Sequence, residues 1–135
     1  MIAVIRISGM VEVPRGVRET LYRLKLRRKY CCVILPERTE ILSMVKKVRD
    51  FAAYGKITQE EFKELIEKRG QPLKKGKKVE VFDFEKDKGD FEKYNLKPFF
   101  RLHPPRGGID SKIHYPKGVL GDHGDKINEL LRRML

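Results

Sequence analysis

A small α+β fold is predicted by three observations. Within the first 57 residues, apolar runs of strand length alternate with apolar stripes at helical spacing, in the order β-α-β-α-β, which is the pattern of a small α+β sandwich. The chain has 135 residues, enough for one domain or for a core with an appendage. Charged residues make up 37% and apolar residues 40%, which suits a solvated globular protein that needs no disulfide or metal to hold its core.

Each element has its own signal. Ile2-Ala3-Val4-Ile5 is apolar on both alternating sets until Arg6, so it reads as an inner strand covered on both faces. Pro14 suits the first turn of a helix, and Val17, Leu21 and Leu24 follow at i, i+4, i+7, a narrow apolar stripe. That helix is expected to end near Lys25. Arg27-Arg28-Lys29 then forms a basic turn before a strand from Tyr30 to Leu35, stopped by Pro36. Thr39 is the expected N-cap of a second helix, with Ile41, Val45 and Val48 on its stripe. Asp50 to Ile57 mixes strand and non-strand residues and is read as a third strand.

Beyond residue 57 the signals are spaced more widely. Thr58-Gln59-Glu60-Glu61 is a capping box. Phe62, Leu65 and Ile66 give the helix over 59–69 its apolar face, Gly70 closes it and Pro72 forbids its continuation. Lys74-Lys75-Gly76-Lys77-Lys78 reads as a loop, and Val79 to Phe82 as a short strand before a charged connector. Phe99 to Leu102 reads as a strand. Pro104-Pro105-Arg106-Gly107-Gly108 is irregular by composition, and the chain stays extended to 124. A last helix over 125–134 carries Ile127, Leu130, Leu131 and Met134 on one face, with Arg132 and Arg133 near its negative end.

The formal net charge is +12, which points to a polyanionic partner. Its distribution is uneven: residues 1–57 carry +8, residues 58–96 are balanced, and residues 97–135 carry +4. No run approaches the ~20 apolar residues of a membrane span, and the short apolar start lacks the basic n-region of a signal peptide, so a cytoplasmic chain without a membrane partner is expected. The adjacent Cys31 and Cys32 are too close for a usual disulfide and point to opposite faces of a strand. They read as two buried thiols. His103, His114 and His123 lack metal-ligand spacing and read as surface imidazoles.

Catalytic signatures are missing from the sequence: no GxSxG, HExxH, GxxxxGK[ST] or GxGxxG occurs. Asp122-His123-Gly124-Asp125 reads as a helix-capping region with a solvated imidazole. Catalytic residues, a metal, a cofactor and a small-molecule substrate are therefore not expected. RNA binding requires only cations at phosphate spacing and backbone that can approach closely. Arg15, Arg18, Arg23, Lys25, Arg27, Arg28 and Lys29 place seven cations within fifteen positions, with Glu19 the single acid. Arg101, His103, Arg106, Gly107 and Gly108 form a second candidate contact, with Arg132 and Arg133 as a third.

Met1-Ile2-Ala3-Val4-Ile5-Arg6-Ile7, Val17-Arg18-Glu19-Thr20-Leu21 and Leu24-Lys25-Leu26-Arg27-Arg28 resemble the archaeal branch of the universal large-subunit ribosomal protein thirty family, whose eukaryotic counterpart is large-subunit protein seven. Phe100 to Gly108 and Ile127 to Met134 resemble the same branch, in the same order. The resemblance implies a β-α-β-α-β core, 1–57, with ferredoxin-like similarity and its helices on one sheet face. It also implies an α-rich C-terminal extension, 58–135, with a helix over 59–69, an irregular stretch over 70–124 and a helix over 125–134. The implied role is structural: binding large-subunit rRNA near the 5S rRNA, beside neighbouring ribosomal proteins and without catalysis. Residues 71–96 depart from the helical insert of that branch. Two other readings compete. One is a non-ribosomal RNA-binding module for RNA processing or tRNA handling. The other is a small phosphate-handling enzyme, which would need one pocket uniting Arg106-Gly107-Gly108 with Asp122-His123.

Overall fold

The first strand, β1 (Ile2–Arg6), is buried along its whole length and occupies the middle of the sheet. The computed structural model describes residues 2–7, 13–36, 38–70, 99–105 and 120–134. Around β1 stand α1 (Arg15–Arg23), β2 (Cys31–Leu35), α2 (Thr39–Lys47), β3 (Ala52–Lys56), α3 (Gln59–Arg69), β4 (Phe100–Arg101), β5 (Gly121–Asp122), a 3₁₀ turn over Gly124–Lys126 and α4 (Ile127–Met134). The strand order is β4-β2-β1-β3-β5. β1 is antiparallel to both β2 and β3, β4 is antiparallel to β2, and β5 is parallel to β3.

Period-two alternation divides the side chains between two cores. Ile2, Val4, Cys31 and Val33 face α1 and α2, and pack with Leu21, Leu24, Val45 and Val48. Ala3, Ile5, Cys32 and Ile34 face α3 and α4, and pack with Phe62, Leu65, Ile66, Ile127, Leu130, Leu131 and Met134. Helices α1 and α2 thus share one face, as the resemblance implies. The opposite face is covered by α3 and α4, so the sheet is the middle layer of three. Each fully buried Leu or Ile of this kind contributes roughly 1.5–3 kcal/mol over an exposed one.

Several local expectations need correction. Pro14 lies one position outside α1, at the N-cap (φ −56°, ψ 146°), and its carbonyl accepts from the Arg18 N–H at 2.9 Å. Thr39 is the first helical residue of α2, because the extended N-cap position falls to Arg38. The capping box is half formed: the Glu61 N–H donates to Thr58 Oγ1 at 3.3 Å, while the Glu61 carboxylate accepts from Arg132 Nε at 2.6 Å. A guanidinium is the stronger, charge-assisted partner. Gly70 does cap α3, but at φ −63° it is in extended backbone, not the left-handed turn its residue type permits. The strand expected over Phe99 to Leu102 shortens to Phe100–Arg101. His123 is buried instead of solvated, since its backbone N–H is drawn to Tyr54 O at 2.8 Å where β5 meets β3. His103 is half-buried. The loop over 74–78, the strand over 79–82, Pro72, His114 and the Pro-Gly stretch from Arg106 to Gly108 lie outside the described residues.

Candidate nucleic-acid interface

The link between α1 and β2 is built by backbone hydrogen bonds before any charge is considered. Leu26 N–H donates to Leu21 O at 2.9 Å and Lys25 N–H to Tyr22 O at 3.0 Å. These two bonds make a Schellman ending, whose C′ residue must adopt the left-handed region. That residue is Lys25, at φ 64°, where glycine is the usual occupant. Tyr30 closes the turn at φ 63°, with its N–H on Arg6 O at 2.6 Å. The exposed Arg27, Arg28 and Lys29 are therefore held between two left-handed residues.

Arg6 supports this turn from below. It is 1% exposed, and its Nη1 donates to Leu26 O at 2.8 Å. Burial pulls its pKa below the ordinary guanidinium value. In the sequence Arg6 marks only the end of an apolar run. A lone charge closing a strand buried on both faces is the signal that could have marked it as a positioning residue.

The second wall comes from far along the chain. β4 pairs with the free edge of β2, setting Arg101 opposite Cys31 and Phe100 opposite Cys32. Leu102 N–H donates to Tyr30 O at 3.0 Å, tying that wall to the end of the basic turn. Between the walls lies a cleft of about 500 Å³ lined by Lys25, Arg27, Arg28, Lys29, Cys31, Phe99, Arg101 and Leu102. Five of those eight side chains are cationic, and none is acidic. The Arg101 guanidinium stands 5.9 Å from the centroid of the Phe99 ring, within cation–π range. Burial pushes the Cys31 thiol up to about 11, against the opposing pull of Arg101 and Arg6. That thiol is part of a neutral floor.

The fold separates the remaining candidates. Arg15 and Arg18 border a smaller hollow with Val13, Glu19 and Tyr22; Arg15 Nε lies 3.4 Å from Glu19 Oε1, both side chains being well exposed. Tyr22 is the large apolar side chain most open to solvent among the described residues, and it borders the same hollow as Arg18. Arg23 is exposed but lines neither hollow. His103 Nδ1 lies 2.6 Å from Pro104 O, and the His103 N–H donates to Met134 O at 3.2 Å, joining the end of β4 to α4.

Arg132 is engaged within the protein. Both its Nε and its Nη2 reach Glu61 Oε1, and this hydrogen bond, with the carboxylate charge, raises its pKa further. Arg133 is exposed on the same turn. Asp122 and His123 stand by β5, at the opposite edge of the sheet from β4. Asp122 Oδ1 accepts from the Gly124 N–H at 2.8 Å, which is a turn-forming role. Among the described residues no His/Cys/Asp/Glu cluster could hold a metal, and no helix is long and apolar enough to cross a membrane.

Comparison with known proteins gives a consistent picture. The ribosomal protein L30p/L7e family profile matches residues 2–51, which include Arg6 and the basic turn but not β4. Three curated relatives described as large ribosomal subunit protein uL30 align almost end to end. That of Archaeoglobus fulgidus is 38% identical, covering 99% of this chain and 99% of its own. That of Pyrobaculum islandicum is 36% identical, covering 98% and 93%. That of Methanopyrus kandleri is 36% identical, covering 94% and 99%.

Proposed function

The chain belongs to the ribosomal protein L30p/L7e family, and from that premise we infer that it is fastened to rRNA chiefly by the cleft between the basic turn and β4. It is a structural constituent of the large ribosomal subunit, binding large-subunit rRNA and neighbouring ribosomal proteins, and it is not an enzyme. The observation that carries the reading of the site is that cations from two distant segments converge on one cleft without an acid among them. Phosphate binding requires this, and a solvated helix face, which mixes acids with bases, does not offer it.

In this reading Lys25, Arg27, Arg28, Lys29 and Arg101 neutralise phosphates, while Arg15, Arg18 and Arg23 extend the contact along α1. Arg133, His103 and the Arg106-Gly107-Gly108 segment are secondary contacts. Residues 1–57 form the core that carries most of the phosphate-binding cations, and 58–135 an extension that adds Arg101 to them. The resemblance to the archaeal branch supports a footprint near the 5S rRNA, in cytoplasmic ribosomes.

The test is charge reversal. Arg27→Glu with Arg28→Glu is expected to release the protein from large subunits in a sucrose gradient, and unchanged co-sedimentation would overturn the site assignment. Neutralising about six phosphates further predicts an affinity loss on the order of a thousandfold between 50 and 200 mM salt.

A further inference from the structure

A surface that only follows an RNA backbone needs cations and nothing else. The cleft offers more than that. Its floor and one wall are apolar, made by Cys31 and Phe99, which share one face of the sheet, and the cations stand around them. A volume of about 500 Å³ falls in the range of small-ligand sites and exceeds what a phosphate requires. Cys31 is already buried and Phe99 is half-buried, so a backbone lying flat across the cations would leave the apolar part of the cleft unfilled. Phe99 and Arg101 together supply an aromatic ring and a guanidinium plane, the two surfaces on which unstacked RNA bases are held.

We propose that this cleft takes up a single unstacked nucleotide of the bound RNA, its base against Phe99 over the Cys31 floor and its phosphate among Arg27, Arg28, Lys29 and Arg101. The proposal rests on the rRNA-binding reading and adds the mode of recognition. The geometry sorts the roles. Arg101 faces both ways: it sits near the Phe99 ring and is held in register opposite Cys31, so it can border the base while facing the phosphate. The basic turn is fixed by its Schellman ending, by Arg6 and by Tyr30, so the phosphate-binding groups hang from a rigid frame. An acidic peptide would satisfy the cations but has no planar group for the apolar part of the cleft.

The test uses the full chain and three probes of six units: a fluorescein-labelled oligoadenylate, an abasic ribose-phosphate oligomer of the same length, and hexaglutamate. Anisotropy at 100 mM KCl is expected to show oligoadenylate binding about tenfold tighter than the abasic oligomer, the scale of one base–aromatic stack. Phe99→Leu should remove that difference while leaving abasic affinity and its salt slope in place. Arg101→Gln should weaken both RNA probes. A hexauridylate carrying 4-thiouridine, photo-crosslinked to the wild-type protein, should map to the peptide containing Phe99 to Leu102. This readout needs no variant.

Equal affinity for the oligoadenylate and abasic probes, or a crosslink confined to other segments, overturns the proposal. So does hexaglutamate binding as tightly as oligoadenylate. Co-sedimentation of wild type and Phe99→Leu with large subunits separates the two readings. If both co-sediment while base preference is absent, only the nucleotide proposal fails. If the wild type does not co-sediment, the rRNA reading fails as well.

Discussion

Lys25 occupies a backbone position where glycine is the natural choice, and replacing it separates stability from binding. It sits at the C′ position of α1 with φ 64°, and its N–H donates to Tyr22 O. An L-residue in the left-handed region costs about 1–2 kcal/mol. Lys25→Gly relieves that strain but returns roughly 0.5–1 kcal/mol of freedom to the unfolded chain. The net is a stabilisation of about 0.5–1 kcal/mol, a rise in melting midpoint of roughly 2–4 °C for a chain of this size. The same change removes one of five cations from the cleft, so the slope of log affinity against log salt should shrink by about 0.7–0.9. Lys25→Ala is the control: it loses the charge but keeps the strain, so it should share the altered slope without the gain in stability. Thermal unfolding followed by circular dichroism, with RNA titrations at four salt concentrations, reads both quantities. A fall in midpoint for Lys25→Gly would refute the strain argument, and an unchanged salt slope in both variants would refute the placement of Lys25 on phosphate.

Three other outcomes follow from the packing. A Cβ at Gly55 would collide with the backbone oxygen of Gly124 and lie 2.8 Å from Ile127 Cβ, so Gly55→Ala should destabilise by about 1–3 kcal/mol and raise proteolysis of α4; a midpoint equal to wild type would show that α4 is not seated on β3. Arg132→Ala strands the buried Glu61 carboxylate and should lower the melting midpoint, whereas adding Glu61→Gln to it should recover part of the loss; a double variant no better than the single one would deny the ion pair that role. Cys31 is held protonated up to about 11 against an ordinary value of 9.0. The unfolded thiol therefore ionises first, and stability falls as pH climbs from about 9 to about 11. Cys31→Val should lessen that slope in denaturant titrations, and a slope identical to wild type would contradict it.

Much of this arrangement was legible because it is local. The two-sided apolarity of Ile2 to Ile5 announced a strand with covers on both faces, and both covers exist. The spacing of Ile127, Leu130, Leu131 and Met134 announced a helix with one buried face, and all four are buried. Period and burial are properties a short window can carry. Long-range pairing is not. Nothing near Arg101 says that it will lie across from Cys31, so the basic turn and the Phe99 to Leu102 segment read as two separate sites until β4 closes them into one. Glu61 shows the same limit: four residues spell a capping box, but the carboxylate answers to a guanidinium that lies 71 positions away. Lys25 is the reverse case, where a local rule predicts glycine and a cation stands in its place. Such breaks in local consistency concentrate where function makes its own demand.

The outermost strands have a consequence for the protein before assembly. β2 and β3 carry the long apolar hydrogen-bonding edges of the three central strands, and each is capped by a partner only two residues long. Those partners present Arg101 on one flank and Asp122 on the other, both exposed. Short, charged flanks make poor templates for a further strand. A second copy of the chain thus meets no inviting edge at these flanks. Because both flanks come from beyond residue 99, a growing chain that already contains β1, β2 and β3 lacks β4 until synthesis passes residue 101 and β5 until it passes residue 122. The chain beyond residue 99 therefore also serves as the sheet's guard against self-association, a duty that begins before any RNA is met.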